Sequence, residues 1–351
     1  MNIAIDVSPL QTGHKARGIG VYTKMLVEAL QQFGQKHTYS LIQHGQKVPS
    51  DADIVHYPYF DPFLPTLPIA KPKPTIVTVH DLIPIIFPDK FPKGIRGGLI
   101  WQVQKASLKG SRRILTDSQN SKNDIQKIAG FDEDQIDVIP LAPNSIFRPV
   151  KEKSVLSSVR RKYHLPKDFF LYVGDVNWNK NISGLLEAFA SVVHGKPSFR
   201  ASLVLVGPAF LNSAIKEVVE INRLIDSLNI RTSIIRPGFV SDVDLVGIYN
   251  TATCLVQPSW YEGFGFPVLE AMASGCPVIT SNASSLAEIS GPAVCIEPGD
   301  VEGIASQMRR MLELSSEKRI GYLRKGFAWA SRFSWQKVAL ETIQAYERAV
   351  A

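Results

Sequence analysis

Two glutamates with seven residues between them, Glu262 and Glu270, carry the densest chemical signal in the chain. They lie in Trp260-Tyr261-Glu262-Gly263-Phe264-Gly265-Phe266-Pro267-Val268-Leu269-Glu270-Ala271-Met272-Ala273-Ser274-Gly275-Cys276-Pro277, which reads as a strand end, a glycine-punctuated loop and a short helix leading to another strand. Pro267 suits a first helical turn, where its missing N–H would have had no partner, and Gly275 suits the C-terminal cap. The expected helix therefore runs from about Pro267 to Ser274. Its amino end, approached by a loop that Gly263 and Gly265 keep narrow, offers main-chain amides to a phosphate. Glu262 stays in the loop while Glu270 projects from the helix, so two carboxylates are expected to face one cavity. A carboxylate is a natural bidentate partner for vicinal hydroxyls such as those of ribose. The helix dipole favours one acid near the helix start by ~0.3–1 kcal/mol, but it does not explain a second acid in the loop.

This run resembles the Glu-x7-Glu signature of family 4 of the retaining GT-B glycosyltransferases, and the resemblance extends over nearly the whole chain. It implies an α/β chain of GT-B fold, with two Rossmann-like doubly wound domains facing a central cleft. The implied reaction moves a sugar from a nucleotide diphosphate to an acceptor hydroxyl, keeping the anomeric configuration. By resemblance, Glu270 binds the donor ribose, and Glu262 contacts the donor sugar and supports the reaction centre. Backbone amides after the Gly263-Phe264-Gly265 turn, around Phe266, Val268 and Leu269, would hold the distal phosphate.

Other matches follow in the same way. Val173-Gly174-Asp175-Val176-Asn177-Trp178-Asn179-Lys180-Asn181 is similar to the family's diphosphate-binding turn, which places Gly174, Lys180 and Asn181 on the donor. Lys180 matches the lysine that neutralises the leaving phosphate. Many members carry an arginine directly after the glycine, where Asp175 stands here, so the usual pair of cations is reduced to one at this turn. Gly238-Phe239-Val240 resembles the base-binding turn, which reads the base edge through backbone and leaves uracil and guanine undistinguished. His80, in Val79-His80-Asp81-Leu82, matches a histidine that faces the donor sugar, with Asp81 either orienting its ring or capping a helix. The loop Gly13-His14-Lys15-Ala16-Arg17-Gly18-Ile19-Gly20-Val21-Tyr22 resembles a glycine-rich loop near phosphate and acceptor, giving Gly18, Gly20 and Tyr22. Asp117-Ser118-Gln119 resembles an acceptor-side segment, in which Ser118 either contacts acceptor or caps a helix.

These side chains need strand ends to position them, and apolar runs alternating with helical ones supply parallel sheets. Strands are predicted near residues 3–7, 39–43, 53–57, 75–79 and 113–117, and helices near 19–33, 98–109 and 119–129. After a break rich in Pro and Asn at Pro140–Pro149, further strands are predicted near 168–173, 202–206, 232–235, 253–257, 277–280 and 293–296. The expected domains are 1–150 on the acceptor side and 151–333 on the nucleotide-sugar side. The helical stretch 334–351, with Ser334 as N-cap, either stays with the second or packs back on the first. In doubly wound sheets the ligand sits at the carboxyl ends of the strands, so the loops after those strands are where chemistry is expected.

The 351 residues, 45% hydrophobic and 20% charged, suit two buried cores. No cationic leader opens the chain and no apolar run approaches the ~18 residues that span a bilayer, so a cytoplasmic chain is expected. Cys254, Cys276 and Cys295 form no CxxC pair and read as reduced core residues. The net charge of +7 suits nucleotides and anionic surfaces, with no nucleic-acid signature beside it. Between Lys90 and Arg113 lie seven basic residues and no acid, around Leu99, Ile100, Trp101 and Val103. That stretch reads either as a core helix with a solvated basic back or as a peripheral contact with anionic membrane. Asp51-Ala52-Asp53, Asp132-Glu133-Asp134 and Asp242-Val243-Asp244 match a metal-binding Asp-x-Asp pair by letters only, so no metal and no cofactor beyond the nucleotide-sugar co-substrate is expected. Similar His-Asp-Leu-Ile-Pro and Tyr-Glu-Gly-Phe-Gly runs occur in mannosyltransferases of polysaccharide and lipopolysaccharide assembly, which implies a glycan or lipid-linked acceptor. A sugar-nucleotide epimerase of related architecture and a non-catalytic nucleotide-sugar-binding subunit are the alternatives.

Overall fold

The computed structural model describes residues 1–11, 18–196 and 200–351, so the Gly13–Arg17 part of the glycine-rich loop lies outside the described residues. The chain forms two compact units, Met1–Ala142 with Phe333–Ala351, and Pro143–Arg332.

The first unit is built on six parallel strands: β1 (Asn2–Asp6), β2 (Thr38–Ile42), β3 (Ile54–Tyr57), β4 (Thr75–Thr78), β5 (Arg113–Thr116) and β6 (Ile136–Val138). Their order is β2-β1-β3-β4-β5-β6. The second unit repeats the plan with β7 (Phe169–Val173), β8 (Ser202–Val206), β9 (Ile234–Gly238), β10 (Cys254–Gln257), β11 (Val278–Ser281) and β12 (Val294–Ile296). Its order is β12-β11-β10-β7-β8-β9. The central strands read as unbroken apolar runs, such as Phe169-Phe170-Leu171-Tyr172 and Leu203-Val204-Leu205-Val206, because helices cover both faces of a parallel sheet. Winding runs outward from β7 to β9 and then returns to place β10 on the other side of β7. That reversal leaves a crevice at the carboxyl ends of β7 and β10, the place where such sheets bind ligands.

The last helix, Trp335–Val350, packs along the helix Gly18–Phe33 of the first unit, with the Ser334 hydroxyl capping it by accepting from the Lys337 amide at 3.2 Å. Three expectations need correction. Cys295 is exposed, since β12 is an edge strand and its middle residue faces outward, whereas Cys254 and Cys276 are buried as expected. The basic helix begins at Gly94 rather than Gly98 and runs to Lys109. β6 and the short helix Ile83–Ile86 add to the elements that the sequence pattern predicts.

Candidate functional site

The loops that leave β7 and β10 are tied together by hydrogen bonds. After β7 the chain makes a short turn, Trp178–Lys180, and Asn181 takes a left-handed conformation (φ 55°) to start the helix Ile182–Gly195. The buried Asn179 accepts from the Trp260 amide at 2.8 Å and donates its side-chain amide to the Tyr261 carbonyl at 2.8 Å. This clamp brings Lys180 Nζ to 2.6 Å from Glu262 Oε2. Glu262 is only 6% exposed, and its other oxygen accepts from Ser259 Oγ at 2.8 Å and Gln257 Nε2 at 3.2 Å. A carboxylate so deeply buried is tolerable only when paired and hydrogen-bonded, which this one is.

Beside this pair, the helix Phe266–Ala273 opens from Gly265, whose φ of 108° and whose contact with Leu286 exclude a side chain. The helix starts one residue earlier than expected. Its first-turn amides are not all available, because the Val268 N–H already donates to the Gly265 carbonyl at 3.1 Å. That removes Val268 from the amides assigned to a phosphate; Phe266 and Leu269 keep the helix-start position that motivated the assignment. Glu270 projects from the same helix and accepts from the Tyr249 hydroxyl at 3.0 Å. Burial pushes its carboxyl up to about 7, only partly offset by Tyr249, with Asp242 adding to the rise. Glu262 and Glu270 are thus held by separate networks, one spent on a cation and the other on a phenol.

Three glycines end three neighbouring strands. Gly174 follows β7, Gly207 follows β8 and Gly238 ends β9. The Gly174 amide donates to the Val206 carbonyl at 3.0 Å and the Gly207 amide to the Gly238 carbonyl at 3.1 Å. A Cβ on Gly207 would collide with the Gly174 carbonyl, so only bare backbone fits this shelf. Phe239 stands exposed next to it, while Val240 turns inward.

The first unit carries its own site at the carboxyl end of β4. His80 Nδ1 lies 2.6 Å from Asp117 Oδ2, the Tyr22 ring meets it edge-on at 4.6 Å between centroids, and Nε2 is buried with no hydrogen-bond partner among the described residues. Burial disfavours the charged ring, but the Asp117 carboxylate, aided by Asp81, outweighs it and holds His80 above the ordinary histidine value. A second buried histidine lies behind. His56 bridges Tyr346 Oη (2.7 Å) and Thr78 Oγ1 (2.8 Å), and burial pushes it down to about 3, so it is neutral.

Residues 158–325 match the family described as Glycosyl transferases group 1, and residues 38–142 match Glycosyltransferase Family 4. The O-antigen chain mannosyltransferase B of Escherichia coli is 34% identical over 276 residues, which cover 78% of this chain and 70% of that one. The chain belongs to the group 1 glycosyltransferases. The serotype-specific mannosyltransferase WbdA of E. coli is 26% identical over 99% of this glycosyltransferase, which spans about half of WbdA (48%). Its two-sheet fold is GT-B: the Anabaena Alr3699/HepE structure in complex with UDP and glucose superposes with a TM-score of 0.75 over 99% of both chains, at 15% identity.

In this glycosyltransferase several assigned side chains have structural duties. Asn181 accepts from the Gly184 amide at 3.3 Å and donates to the Pro258 and Pro298 carbonyls at 3.0 and 2.6 Å, so its side chain serves the clamp rather than a ligand. Asp81 accepts from the Ile83 amide at 3.0 Å, and the ring of His80 is oriented by Asp117 instead. Ser118 caps the helix Gln119–Ala129, whose Ser121 hydroxyl donates to the His80 carbonyl at 2.9 Å. Tyr22 is buried with its hydroxyl 3.0 Å from Thr78 Oγ1 and its ring against His80. Gly18 begins its helix exposed, and Gly20 is buried in the next half-turn. Sequence reasoning missed Gly207, Tyr249, Ser259 and Gln257. Gly207 alone had a readable signal, a glycine directly after a strand, as at Gly174.

Proposed function

We propose that the chain is a retaining, metal-independent hexosyltransferase that moves mannose from a nucleotide-diphosphate sugar to a hydroxyl of a glycan or lipid-linked acceptor in polysaccharide or lipopolysaccharide assembly. The observation that carries the reading is the Lys180–Glu262 pair beside a helix start and a second carboxylate, at the reversal point of the second sheet. Glu270 takes the ribose hydroxyls, the Gly174–Gly207–Gly238 shelf admits the nucleotide against bare backbone, and the Phe266–Ala273 helix start takes the distal phosphate. The diphosphate draws Lys180 from Glu262, which frees that carboxylate toward the sugar. Stabilising the departing diphosphate is the principal catalytic term. Asp175 supplies no positive charge at this turn, so Lys180 bears most of it. In the first unit, Asp117 accepts from His80 Nδ1–H and leaves Nε2 to meet a sugar hydroxyl. Mannose is supported by the likeness to the O-antigen chain mannosyltransferase B.

Asp244 is engaged with Lys162 and Tyr163 at 2.6 and 2.8 Å, which supports reading its Asp-x-Asp as a structural motif. Peripheral membrane contact is supported by the helix Gly94–Lys109. It buries Trp101 and Leu108 but leaves Ile95, Leu99 and Val103, four apart on one stripe, 88%, 66% and 47% exposed. Exposed Lys90, Lys93 and Arg96 lie beside them. An apolar stripe with a basic border suits an anionic bilayer. No helix of the described residues is long and apolar enough to cross a membrane.

The test is transfer from GDP-mannose, UDP-glucose, UDP-N-acetylglucosamine and ADP-glucose to an α-mannoside acceptor in EDTA, with the anomeric configuration of the product read by NMR. An α-mannoside formed from GDP-mannose supports the reading. Product of inverted configuration, or transfer that needs a divalent cation, contradicts it.

A further inference from the structure

The clamp that fixes Lys180 and Glu262 also fixes two tryptophans. Trp178 and Trp260 flank those residues in the two loops, and their rings are parallel within 8° with centroids 6.4 Å apart. Trp260 is 36% exposed, the most exposed tryptophan among the described residues. The remainder of the ring is covered by Trp178 and by Gly299, so a part of the indole is left facing solvent. Both loops are tied down here, because the buried amides of Asn179 and Asn181 bind the main chain at Tyr261, Pro258 and Pro298. An aromatic surface is therefore held in place in advance of any occupant.

That surface forms one side of a pocket of about 450 Å³ between the helices Ile182–Gly195 and Lys216–Ser227. Glu187, Glu217 and Glu220 line it from the two helices, and Asn177 lines it at the loop. Lys180, Glu262 and Glu270 do not line it.

We propose that this pocket is a glycan subsite separate from the donor site, in which a pyranose ring lies on the Trp178–Trp260 surface and its hydroxyls bond to Glu187, Glu217 and Asn177. A pyranose suits the combination. One face presents C–H groups to the negative face of an indole, and the rim presents paired hydroxyls to carboxylates. A cationic group would also be attracted by aromatic rings and acids, but it favours rings arranged around it at differing angles, whereas these two are stacked in parallel. Because the same loops carry Lys180 and Glu262, an occupant here is one clamp away from the reaction centre. Identifying that occupant as an upstream sugar of the growing acceptor rests on the reading given under Proposed function.

The experiment is a titration of the full chain with α-mannotriose, cellotriose and choline chloride, followed by tryptophan fluorescence and calorimetry. It compares the wild type with Trp260→Ala and with the surface double variant Glu187→Gln/Glu217→Gln. The expected result is saturable binding of a trisaccharide with fluorescence change, weakened at least tenfold in both variants. Nucleotide-induced stabilisation, measured in parallel, is expected to be intact in both. Trisaccharide binding that is absent from the wild type, or as tight in the variants as in the wild type, overturns the proposal, as does saturable binding of choline alone. If nucleotides also fail to bind the wild type, that failure belongs to the donor site, and the glycan titration is judged by itself. The double variant changes one exposed and one half-buried helix residue by an isosteric replacement, so it answers the question even if Trp260→Ala unfolds.

Discussion

Glu270 is held in a state that costs stability, and replacing it by Gln separates folding from binding. Its carboxyl is pushed from 4.5 to about 7 by burial. At ~1.4 kcal/mol for each tenfold change in proton affinity, that is about 3 kcal/mol. The sign follows from proton uptake. The folded chain holds this proton more tightly than the unfolded chain, so the associated stability is fully present below pH 4.5 and is lost as pH rises through about 7. At pH 8 the ionised side chain therefore opposes folding, and Glu270→Gln relieves it while keeping an acceptor for the Tyr249 hydroxyl. The variant should melt roughly 6–10 °C above the wild type at pH 8 and near it at pH 5, in the transition of the unit that contains residue 270. Its affinity for nucleotide should fall about tenfold, the loss of one charge-assisted hydrogen bond. Melting curves at pH 5, 6.5 and 8 with and without nucleotide test both halves. A difference between the proteins that is the same at all three pH values, or a variant less stable than wild type at pH 8, refutes the reasoning.

Three further outcomes are expected. Lys180→Met strands a buried carboxylate and should cost about 3 kcal/mol in urea unfolding; adding Glu262→Gln should restore most of that stability but not donor binding. Asp117→Ala should lower kcat by about 10–100-fold with the fold intact. It should also bring the His80 titration in NMR down below the ordinary value, because burial then acts without its main counterweight, and its stability loss should be larger at pH 6 than at pH 9, since a raised histidine contributes below its unfolded value. Ile95→Asp/Leu99→Asp should abolish sedimentation with vesicles rich in phosphatidylglycerol and leave transfer to a soluble acceptor unchanged, whereas unaltered sedimentation would retire the membrane contact.

Strands and the donor loops were legible because they depend on local pattern. Phe169–Val173 and Ser202–Val206 are apolar runs, and the helix Gln119–Ala129 announces itself through Ser118 before and Gly130 after. The site's wiring depends on contacts far apart in the chain. Asp81 is next to His80 in sequence, but the backbone aims it at its own helix start, and Asp117 arrives from 37 positions away on β5's exit. Lys180 and Glu262 are 82 positions apart, and nothing local says that their resting partner is each other. β6 was missed because Ile136-Asp137-Val138 is short and carries an acid. That acid is matched by Arg113 at 2.7 Å and by Arg348 at 2.8 Å, from the distant last helix. The Val268 amide shows the limit of reasoning from helix type: the first turn is nominally open, but a glycine carbonyl at the N-cap closes one of its donors.

The central claim is that a nucleotide diphosphate sugar binds at the carboxyl ends of β7 and β10. Its most direct test is the ligand-induced shift in melting temperature of the wild type and Lys180→Met/Glu262→Gln, with GDP, UDP, ADP and their sugar conjugates in EDTA. A nucleotide at ~100 times its dissociation constant stabilises by ~2.7 kcal/mol, which is a shift of several degrees. The account predicts that one nucleotide family shifts the wild type and that the double variant, folded and comparably stable, loses the response. No shift with any nucleotide, or an equal shift in the variant, would contradict it.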